Sequence, residues 1–314
     1  MDLRQLKYFT RIVEVESITA AAETLHVAQP SLSQHVANLE AELETRLLVR
    51  GPGGVRPTEA GKLLYRHAKM VMRQIDEAKS ALRHGRDTPA GKVTIGLPTS
   101  TSRVLAVPLI EEVARRYPDV LLEIIEGSSA DLAVAVSLHR MDLAIAMDVQ
   151  PQPARMTTTP LLVEEVYLVG KKLKTGSVSL AQMCDLPLVL PSFPNSIRVL
   201  MARTLAEAML SVNLVVETSA VSVLLALVAN GRSWTLLPWS ALAGLPDKRI
   251  VATRIDSPGF SRRVSLCMSL SNEKSVVCTH VHQAVIDVAH ELVTSGAWRG
   301  VTWQAGSDTT LIPA

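Results

Sequence analysis

The sequence predicts an α/β protein that carries an all-α winged helix-turn-helix unit at its N-terminus. Helical periodicity dominates up to about residue 85, whereas beyond residue 92 short apolar runs alternate with helical stretches. A chain of 314 residues can hold both a small head and a larger region that buries its own core. The architecture therefore begins with a helical head and continues into an α/β domain.

The head contains two helices separated by a short turn. A helix over residues 18–25 is rich in small residues, residues 26–28 form the turn, and Pro30 stands in the favoured first turn of the next helix. A preceding helix from Leu3 to Val13 supplies further apolar positions. In the helix after the turn, apolar residues recur at steps of four, three and four: Leu32, Val36, Leu39 and Leu43. They form one stripe, which we expect to be buried.

The opposite face of that helix carries short polar side chains that can hydrogen-bond base edges: Gln29, Ser31, Ser33, Gln34 and Asn38. An ordinary amphipathic helix pair with a solvated face would show the same pattern. The following stretch favours nucleic acid, because seven Lys or Arg face a single acid, Glu59, between Arg46 and Arg73. The overall charge of +2 carries no such information.

A turn signal inside the basic stretch predicts a wing. Gly51-Pro52-Gly53-Gly54 is flanked by Val49 and Val55, which indicates a tight β-ribbon. Thr58 is then expected to cap a long helix that runs to about residue 85.

That long helix repeats apolar residues at a spacing close to 3.5, at Leu64, Ala68, Val71, Ile75, Ala78 and Leu82. Such a period keeps one seam towards a partner helix and predicts a coiled-coil-like dimer contact. Packing of the helix on its own domain remains the alternative. Two heads in a dimer would fit two half-sites on DNA.

Three stretches together resemble the LysR-type transcriptional regulators. They are Ser-x-Thr-Ala-Ala-Ala-x-x-Leu at 17–25, Gln-Pro-Ser-Leu-Ser-x-x-Val-x-x-Leu-Glu at 29–40, and Arg-x-x-x-x-x-Arg-Pro-Thr-Glu-Ala-Gly at 50–61. The chain departs from many relatives at Glu16 and Glu44, where glycine is frequent, and at Gly53, where arginine is common.

The resemblance implies a dimer or a tetramer built as a dimer of dimers, bound to double-stranded promoter DNA and contacting RNA polymerase if the protein activates. Within the head we expect base contacts from Gln29, Ser33 and Gln34, with Pro30 setting the approach of the helix. Phosphate contacts are expected from Ser31, Arg50 and Arg56.

Beyond a predicted hinge, strands and helices alternate, which indicates an α/β domain with mainly parallel sheets. Strands are predicted at 93–97, 121–125, 143–147, 166–170, 188–190, 214–216, 235–237 and 264–270. Helices are predicted at 104–117, 130–139, 197–209, 221–230 and 277–294.

The effector region of LysR-type regulators is similar to type 2 periplasmic binding proteins, with two α/β lobes and a ligand cleft between them. On this chain the resemblance implies a DNA-binding domain at 1–58, a linker helix at 59–85, a hinge at 86–91 and an effector domain at 92–295. Lobe one would comprise 92–162 and 268–295, and lobe two 163–267. The tail at 296–314 has no assignment.

In open α/β sheets the ligand crevice lies beyond the carboxyl ends of the strands. Polar residues follow the predicted strands there, which nominates Thr99, Ser100, Thr101, Ser102, Ser129, Met147 and Ser192 as effector-binding residues. Hydroxyls at helix N-termini favour a small anionic or amino-acid-like effector. Helix capping accounts equally well for any one of these hydroxyls. Phe193 is the only aromatic residue that we expect in the cleft, which disfavours an aromatic effector.

Several function classes lack their signals in the sequence. Cys184, Cys267 and Cys278 are too few for a disulfide framework, and the eight histidines show no metal-binding spacing. We find no nucleophile elbow or phosphate-binding glycine loop, so we expect no enzyme, no metal and no cofactor. With no leader or membrane span, a cytoplasmic protein is expected. The remaining alternatives are an effector-independent regulator of the same family and a cytoplasmic solute-binding protein.

Overall fold

The computed structural model describes residues 1–51, 54–84, 89–149, 156–173, 176–245 and 249–304. Within the long helix, the side chains at positions 73, 77, 80, 81, 83 and 84 are outside the description. Residues 86–88 of the predicted hinge, the centre of the wing turn and the end of the tail also lie outside the described residues.

The head is a three-helix unit with a β-hairpin, as the sequence predicts. Its helices are α1 (Leu3–Val15), α2 (Ile18–Leu25) and α3 (Gln29–Glu42), and the antiparallel hairpin pairs β1 (Leu48–Gly51) with β2 (Gly54–Pro57). Phe9 and Leu32 are fully buried in its core. The expected burial of Leu43 is wrong, because α3 ends at Glu42 and Leu43 is left 37% exposed.

The wing is fixed to the turn between α1 and α2. The Val55 backbone N–H donates to the Glu16 carbonyl oxygen at 2.8 Å. Gly54 has a φ of 104°, and a Cβ at this position would lie 2.6 Å from the same oxygen. Only glycine satisfies both conditions without strain, so Gly54 sets the base of the wing.

The linker helix α4 (Glu59–His84) changes its environment along its length. Thr58 caps it as predicted, since the Gly61 N–H donates to the Thr58 hydroxyl at 2.9 Å. Tyr65 is buried in the core of the head and Ala68 is also buried, whereas Val71 is 42% exposed and Leu82 is 89% exposed. The first part of the predicted seam therefore packs within the chain, and the later part is uncovered in a single copy.

The region after the linker begins with β3 (Gly91–Pro98), α5 (Thr99–Arg116), β4 (Val120–Gly127), α6 (Ser129–Ser137), β5 (Leu143–Met147) and β6 (Met156–Gly170). It continues with β7 (Ser177–Ser179), α7 (Leu180–Cys184), β8 (Leu188–Leu190), α8 (Ser196–Ala208), β9 (Leu214–Glu217), α9 (Val221–Ala229) and β10 (Thr235–Pro238). The last elements are β11 (Val251–Asp256), β12 (Ser261–Ser269), α10 (Val276–Thr294) and β13 (Val301–Trp303). Short 3₁₀ helices span Trp239–Leu242 and Leu270–Asn272.

The strands form a mixed sheet, so the expectation of mainly parallel sheets is wrong. Within the described residues the main order is β4-β3-β5-β12-β6-β11-β7, with β10 and β13 also paired to β6, and β8 pairs with β9 separately. The pairs β3 with β4, β3 with β5, β7 with β11 and β8 with β9 are parallel. In this region the described antiparallel pairs all involve β6 or β12, the two long strands that run from one lobe to the other.

Two hydrophobic cores define the two lobes. One core lies between the β3–β4–β5 part of the sheet and α5 and α10, and the other surrounds β8, α8 and α9. Along β6, Leu162 belongs to the first core and Val166 to the second. The chain therefore passes between the lobes within a few residues.

The beginning of the unassigned tail is part of the fold. Trp298 is 1% exposed in the first core, and β13 pairs with β6, with Thr302 opposite Val163. All three cysteines are buried, and burial raises the pKa of the Cys267 thiol to about 11. Among the described residues, no helix is long and apolar enough to span a membrane, and no cluster of His, Cys, Asp and Glu could hold a metal ion.

Candidate functional site

Helix α3 presents the polar face that the sequence predicts. Gln29, Pro30, Ser31 and Gln34 are exposed, while Ser33 is half-buried. The Gln29 side-chain amide donates to the Ser33 hydroxyl at 3.0 Å, and the Gln34 side-chain amide donates to the Asn38 side-chain oxygen Oδ1 at 2.8 Å. Leu32, Val36 and Leu39 hold the opposite face in the core of the head, so the orientation of the polar face is fixed.

The basic stretch is less uniform in space than in sequence. The Lys62 ammonium pairs with Glu59 at 2.6 Å, and the Lys69 ammonium pairs with Glu14 at 3.0 Å. The exposed guanidinium groups of Arg46, Arg50 and Arg56 contact no carboxylate in the part of the chain that the structure describes. Three exposed positive charges without a carboxylate partner therefore lie on and beside the wing.

A cavity of about 1070 Å³ separates the two lobes. Its walls include the N-termini of α5 and α6 from lobe one and the N-terminus of α8 from lobe two. Five of the predicted effector residues line it: Thr99, Ser100, Ser129, Met147 and Ser192.

Two predicted effector residues, Thr101 and Ser102, are not brought to the cavity wall within the described residues. Successive residues of an α-helix point about 100° apart, so a run of four hydroxyls at the start of α5 cannot all face one cleft. Thr101 is fully buried, and its hydroxyl has no hydrogen-bond partner in the described structure. The assignment of these two side chains to the cleft is therefore corrected.

Two of the lining hydroxyls already have partners inside the protein. The Ser129 hydroxyl accepts from the Met147 backbone N–H at 2.6 Å, and the Ser100 hydroxyl accepts from the Arg262 guanidinium at 3.0 Å. These bonds order the cleft wall and reduce the number of free hydroxyls for a ligand.

A buried ion pair forms the floor of the cleft, and the sequence reasoning missed it. Arg262 and Glu164 lie opposite each other on β12 and β6 and are 4% and 0% exposed. The Arg262 Nε donates to Glu164 Oε2 at 3.0 Å, and Nη2 donates to the same oxygen at 2.7 Å. A partial signal was available, because β6 contains Glu164-Glu165 and β12 contains Arg262-Arg263, and a buried charge is costly unless it is paired. Neither strand indicates which residues form the pair.

The charges around the cleft are divided between its sides. Glu126, Asp131 and Asp148 line the lobe-one side, whereas Arg203 lies on α8 of lobe two. Arg263 adds a second positive charge where the strands cross. The cleft is thus bipolar rather than uniformly positive.

A head with an exposed polar helix and a basic wing, joined by a long helix to a two-lobed domain with a cleft, defines a DNA-binding regulator with a ligand-binding domain. Sequence comparison gives the family. Residues 3–62 match the family model for the bacterial regulatory helix-turn-helix protein of the lysR family, and residues 86–289 match the LysR substrate binding domain. The chain belongs to the LysR family of transcriptional regulators.

Relatives of known name match over nearly the whole chain. The nitrogen assimilation regulatory protein nac of Klebsiella aerogenes is 36% identical over 293 residues, covering 92% of this chain and 95% of that protein. The protein of the same name in Escherichia coli K12 is 33% identical over 309 residues, covering 97% and 99%.

Solved structures share the fold at lower identity. A full-length OxyR variant from Pseudomonas aeruginosa has a TM-score of 0.74 and 22% identity, covering 96% of this chain and 98% of that one. Full-length CbnR complexed with its target DNA has a TM-score of 0.60 and 20% identity, covering 92% and 100%. The chain is therefore a LysR-type transcriptional regulator with a helix-turn-helix head and an effector-binding domain.

Proposed function

We propose that this regulator reads promoter DNA through α3 and the wing, and that a small anionic or amino-acid-like effector in the inter-lobe cleft controls it. The observation that carries the DNA part is the exposed polar face of α3 beside three arginines without carboxylate partners among the described residues. A double helix offers base edges to the first feature and phosphates to the second.

The division of contacts follows from position on the head. Gln29, Ser33 and Gln34 would contact bases, because their donors and acceptors lie within the first two turns of α3. Ser31, Arg50 and Arg56 would contact phosphates, and Pro30 would set the approach. Ala28 caps α3 without a side-chain hydrogen bond, which leaves the first N–H groups of the helix available to a phosphate.

Gel-shift titrations of operator DNA at several salt concentrations test this assignment. Arg56→Ala should weaken binding to every sequence and reduce the slope of log K against log salt by about 1, as expected for one lost phosphate contact. Gln29→Ala should instead reduce discrimination between operator and scrambled DNA. Lys62→Ala is the matched control, because Glu59 already neutralises the Lys62 ammonium. If Arg56→Ala and Lys62→Ala changed the slope equally, the assignment of the wing would be wrong.

The active form is proposed to be a dimer, or a tetramer made of two dimers, joined through α4. The uncovered seam positions Val71 and Leu82 support this proposal. Activation would also require contact with RNA polymerase. Boundaries at 1–58, 59–85, 86–91 and 92–295 are proposed for the functional units, and the protein is proposed to act in the cytoplasm without enzymatic activity.

The bipolar charge of the cleft favours an amino-acid-like effector over a simple anion. A zwitterion could place its ammonium towards Glu126, Asp131 and Asp148 and its carboxylate towards Arg203. Calorimetric titration with amino acids, dicarboxylates and sulfate tests this preference, with Arg203→Ala as the variant that should lose affinity. Equal heats from sulfate and amino acids would contradict it.

An effector-independent regulator is the second candidate, and one observation favours it. The hydroxyls of Ser100 and Ser129 are already bound within the protein, so fewer groups remain for a ligand. A footprint that no candidate ligand alters would support this alternative. A cytoplasmic solute-binding protein is the least supported alternative, because it leaves the head without a role.

The relatives suggest where to look for operators. Since two matching proteins are named nitrogen assimilation regulatory proteins, we propose promoters of nitrogen-assimilation genes as the first targets. Sequencing genomic fragments selected by the purified protein tests this proposal, and recovery of unrelated promoters alone would overturn it.

A further inference from the structure

The Arg262–Glu164 pair lies where one hydrophobic core gives way to the other. The two residues are direct cross-strand neighbours on β12 and β6. Along β6, Leu162 belongs to the lobe-one core and Val166 to the lobe-two core. The pair therefore occupies the part of the crossing strands that must bend if the lobes move relative to each other.

The Arg262 guanidinium contacts one serine from each lobe. Nη2 donates to the Ser100 hydroxyl on α5 of lobe one at 3.0 Å, and Nη1 donates to the Ser196 hydroxyl on α8 of lobe two at 3.3 Å. With the two bonds to Glu164, four of its five N–H groups are used. Both serines line the cleft, so this one side chain connects its opposite walls.

Glu164 is held in turn by two further elements. The Ser240 hydroxyl, from a 3₁₀ helix, donates to Glu164 Oε1 at 2.6 Å, and the indole N–H of Trp298 donates to the same oxygen at 3.1 Å. A buried ion pair is tolerated only when its remaining hydrogen-bonding groups are satisfied. These contacts leave Glu164, and therefore Arg262, little freedom to rotate.

We propose that Arg262 is a positioning residue that fixes the angle between the lobes by binding Ser100 and Ser196 across the floor of the cleft. A more open arrangement must break one of the two serine contacts while the buried pair stays intact. The longer contact, to Ser196, is the one that breaks first. Arg262 thereby also sets the width of the cleft that an effector would enter. This consequence for the effector rests on the proposed function, whereas the angle between the lobes does not.

The test measures the distance between spin labels on the two lobes of the full-length protein without added ligand. Glu111→Cys on α5 and Glu207→Cys on α8 supply exposed labelling sites, and the native cysteines are buried. Diluting labelled chains with excess unlabelled chains isolates the distance within one chain. The labelled protein with Ser100, Ser196 and Arg262 intact should give one narrow distance distribution. Ser196→Ala should add a population with a longer distance between the lobes.

Ser129→Ala is the matched control, because it removes a cleft serine hydroxyl whose partner, Met147, lies in the same lobe. It should leave the distance distribution unchanged. Arg262→Lys keeps the charge but replaces the fork, whose two terminal nitrogens contact different serines, with a single nitrogen. It should therefore broaden the distribution more than Ser196→Ala. If the Arg262→Lys protein fails to fold, the inter-lobe distances in Ser100→Ala and Ser196→Ala test the proposal.

Unchanged distributions in folded Ser100→Ala and Ser196→Ala proteins would overturn the proposal. A merely structural role would lower stability without moving the distance between the lobes. Because no ligand is added, failure of the effector proposal would leave this result unaffected, and failure of this proposal would leave effector binding open to calorimetry.

Discussion

At the scale of single residues, the head depends on a close backbone contact between α4 and the strand that enters the wing. A Cβ at Gly61 would lie 2.0 Å from the Leu47 carbonyl oxygen. Gly61→Ala should therefore lower the free energy of unfolding by about 1–3 kcal/mol or more, as overpacking does, measured by urea denaturation. Gly51→Ala is the control, since its Cβ would meet no atom within 4 Å. Equal losses in the two variants would contradict the close contact.

Trp298 tests whether the C-terminal segment supports the buried ion pair. Trp298→Phe removes the indole N–H that Glu164 accepts, and a hydrogen bond to a charged group is worth about 1.5–3 kcal/mol. We expect a loss of stability of that order in chemical denaturation. Trp303→Phe, in the same segment but half-buried and packed edge-on against His290, should cost clearly less. The reverse order would argue against the role of the indole.

His282 makes the stability of the larger domain sensitive to pH. Burial lowers the pKa of its imidazole below the ordinary value of 6.5, and the ring contacts the Thr159 hydroxyl at 3.2 Å. The unfolded chain then binds the proton more readily than the folded one, so stability falls as the pH drops through 6.5 towards the lowered pKa. His282→Gln should flatten the pH dependence of unfolding in this window. An unchanged profile would show that other groups cause it.

At the scale of elements, the linker helix carries an apolar seam that one chain covers only in part. Leu82→Glu should raise the dimer dissociation constant, because it places a charge on the exposed seam. Sedimentation equilibrium measures the effect. Leu63→Glu is the matched control, since Leu63 is 48% exposed on the same helix but lies outside the seam. Equal dissociation of both variants would indicate non-specific repulsion.

The elements with strong local signals were predictable from the sequence. The helix at 18–25 and the strand at 143–147 have the predicted bounds, because small or apolar runs there end at clear turn residues. The first part of β6 was missed, since Pro160 lacks the N–H that a strand ladder uses and therefore argues against a strand at this position. Its extended conformation depends on tertiary pairing with β12 and β13.

In the candidate sites too, features that depend on neighbouring residues were predictable, whereas contacts between residues distant in the sequence were not. The polar face of α3 follows from helical period alone, and the structure agrees with it. The Arg262–Glu164 pair joins residues 98 positions apart, so no local pattern could reveal it. The sequence also could not show that Lys62 and Lys69 are paired with carboxylates, whereas the three arginines at the wing are not paired within the described residues.

At the scale of the whole molecule, the head contacts lobe one of the same chain through a single described interdomain ion pair. The Arg140 guanidinium lies 3.7 Å from the Glu16 carboxylate, and both side chains are nearly half exposed. Such a pair contributes at most about 1 kcal/mol. The position of the head therefore depends chiefly on α4, which is also the proposed dimer contact, so movement of the lobes and spacing of the two heads are expected to be linked.

Paired heads are proposed to hold DNA at two spaced half-sites. A nuclease footprint of the full-length protein on a selected promoter fragment tests this proposal most directly. We expect two protected stretches separated by about one helical turn, roughly 10 base pairs, or a multiple of it, both lost with Arg56→Ala at high salt. A single protected stretch, or uniform protection of any sequence, would contradict binding of paired heads to two half-sites.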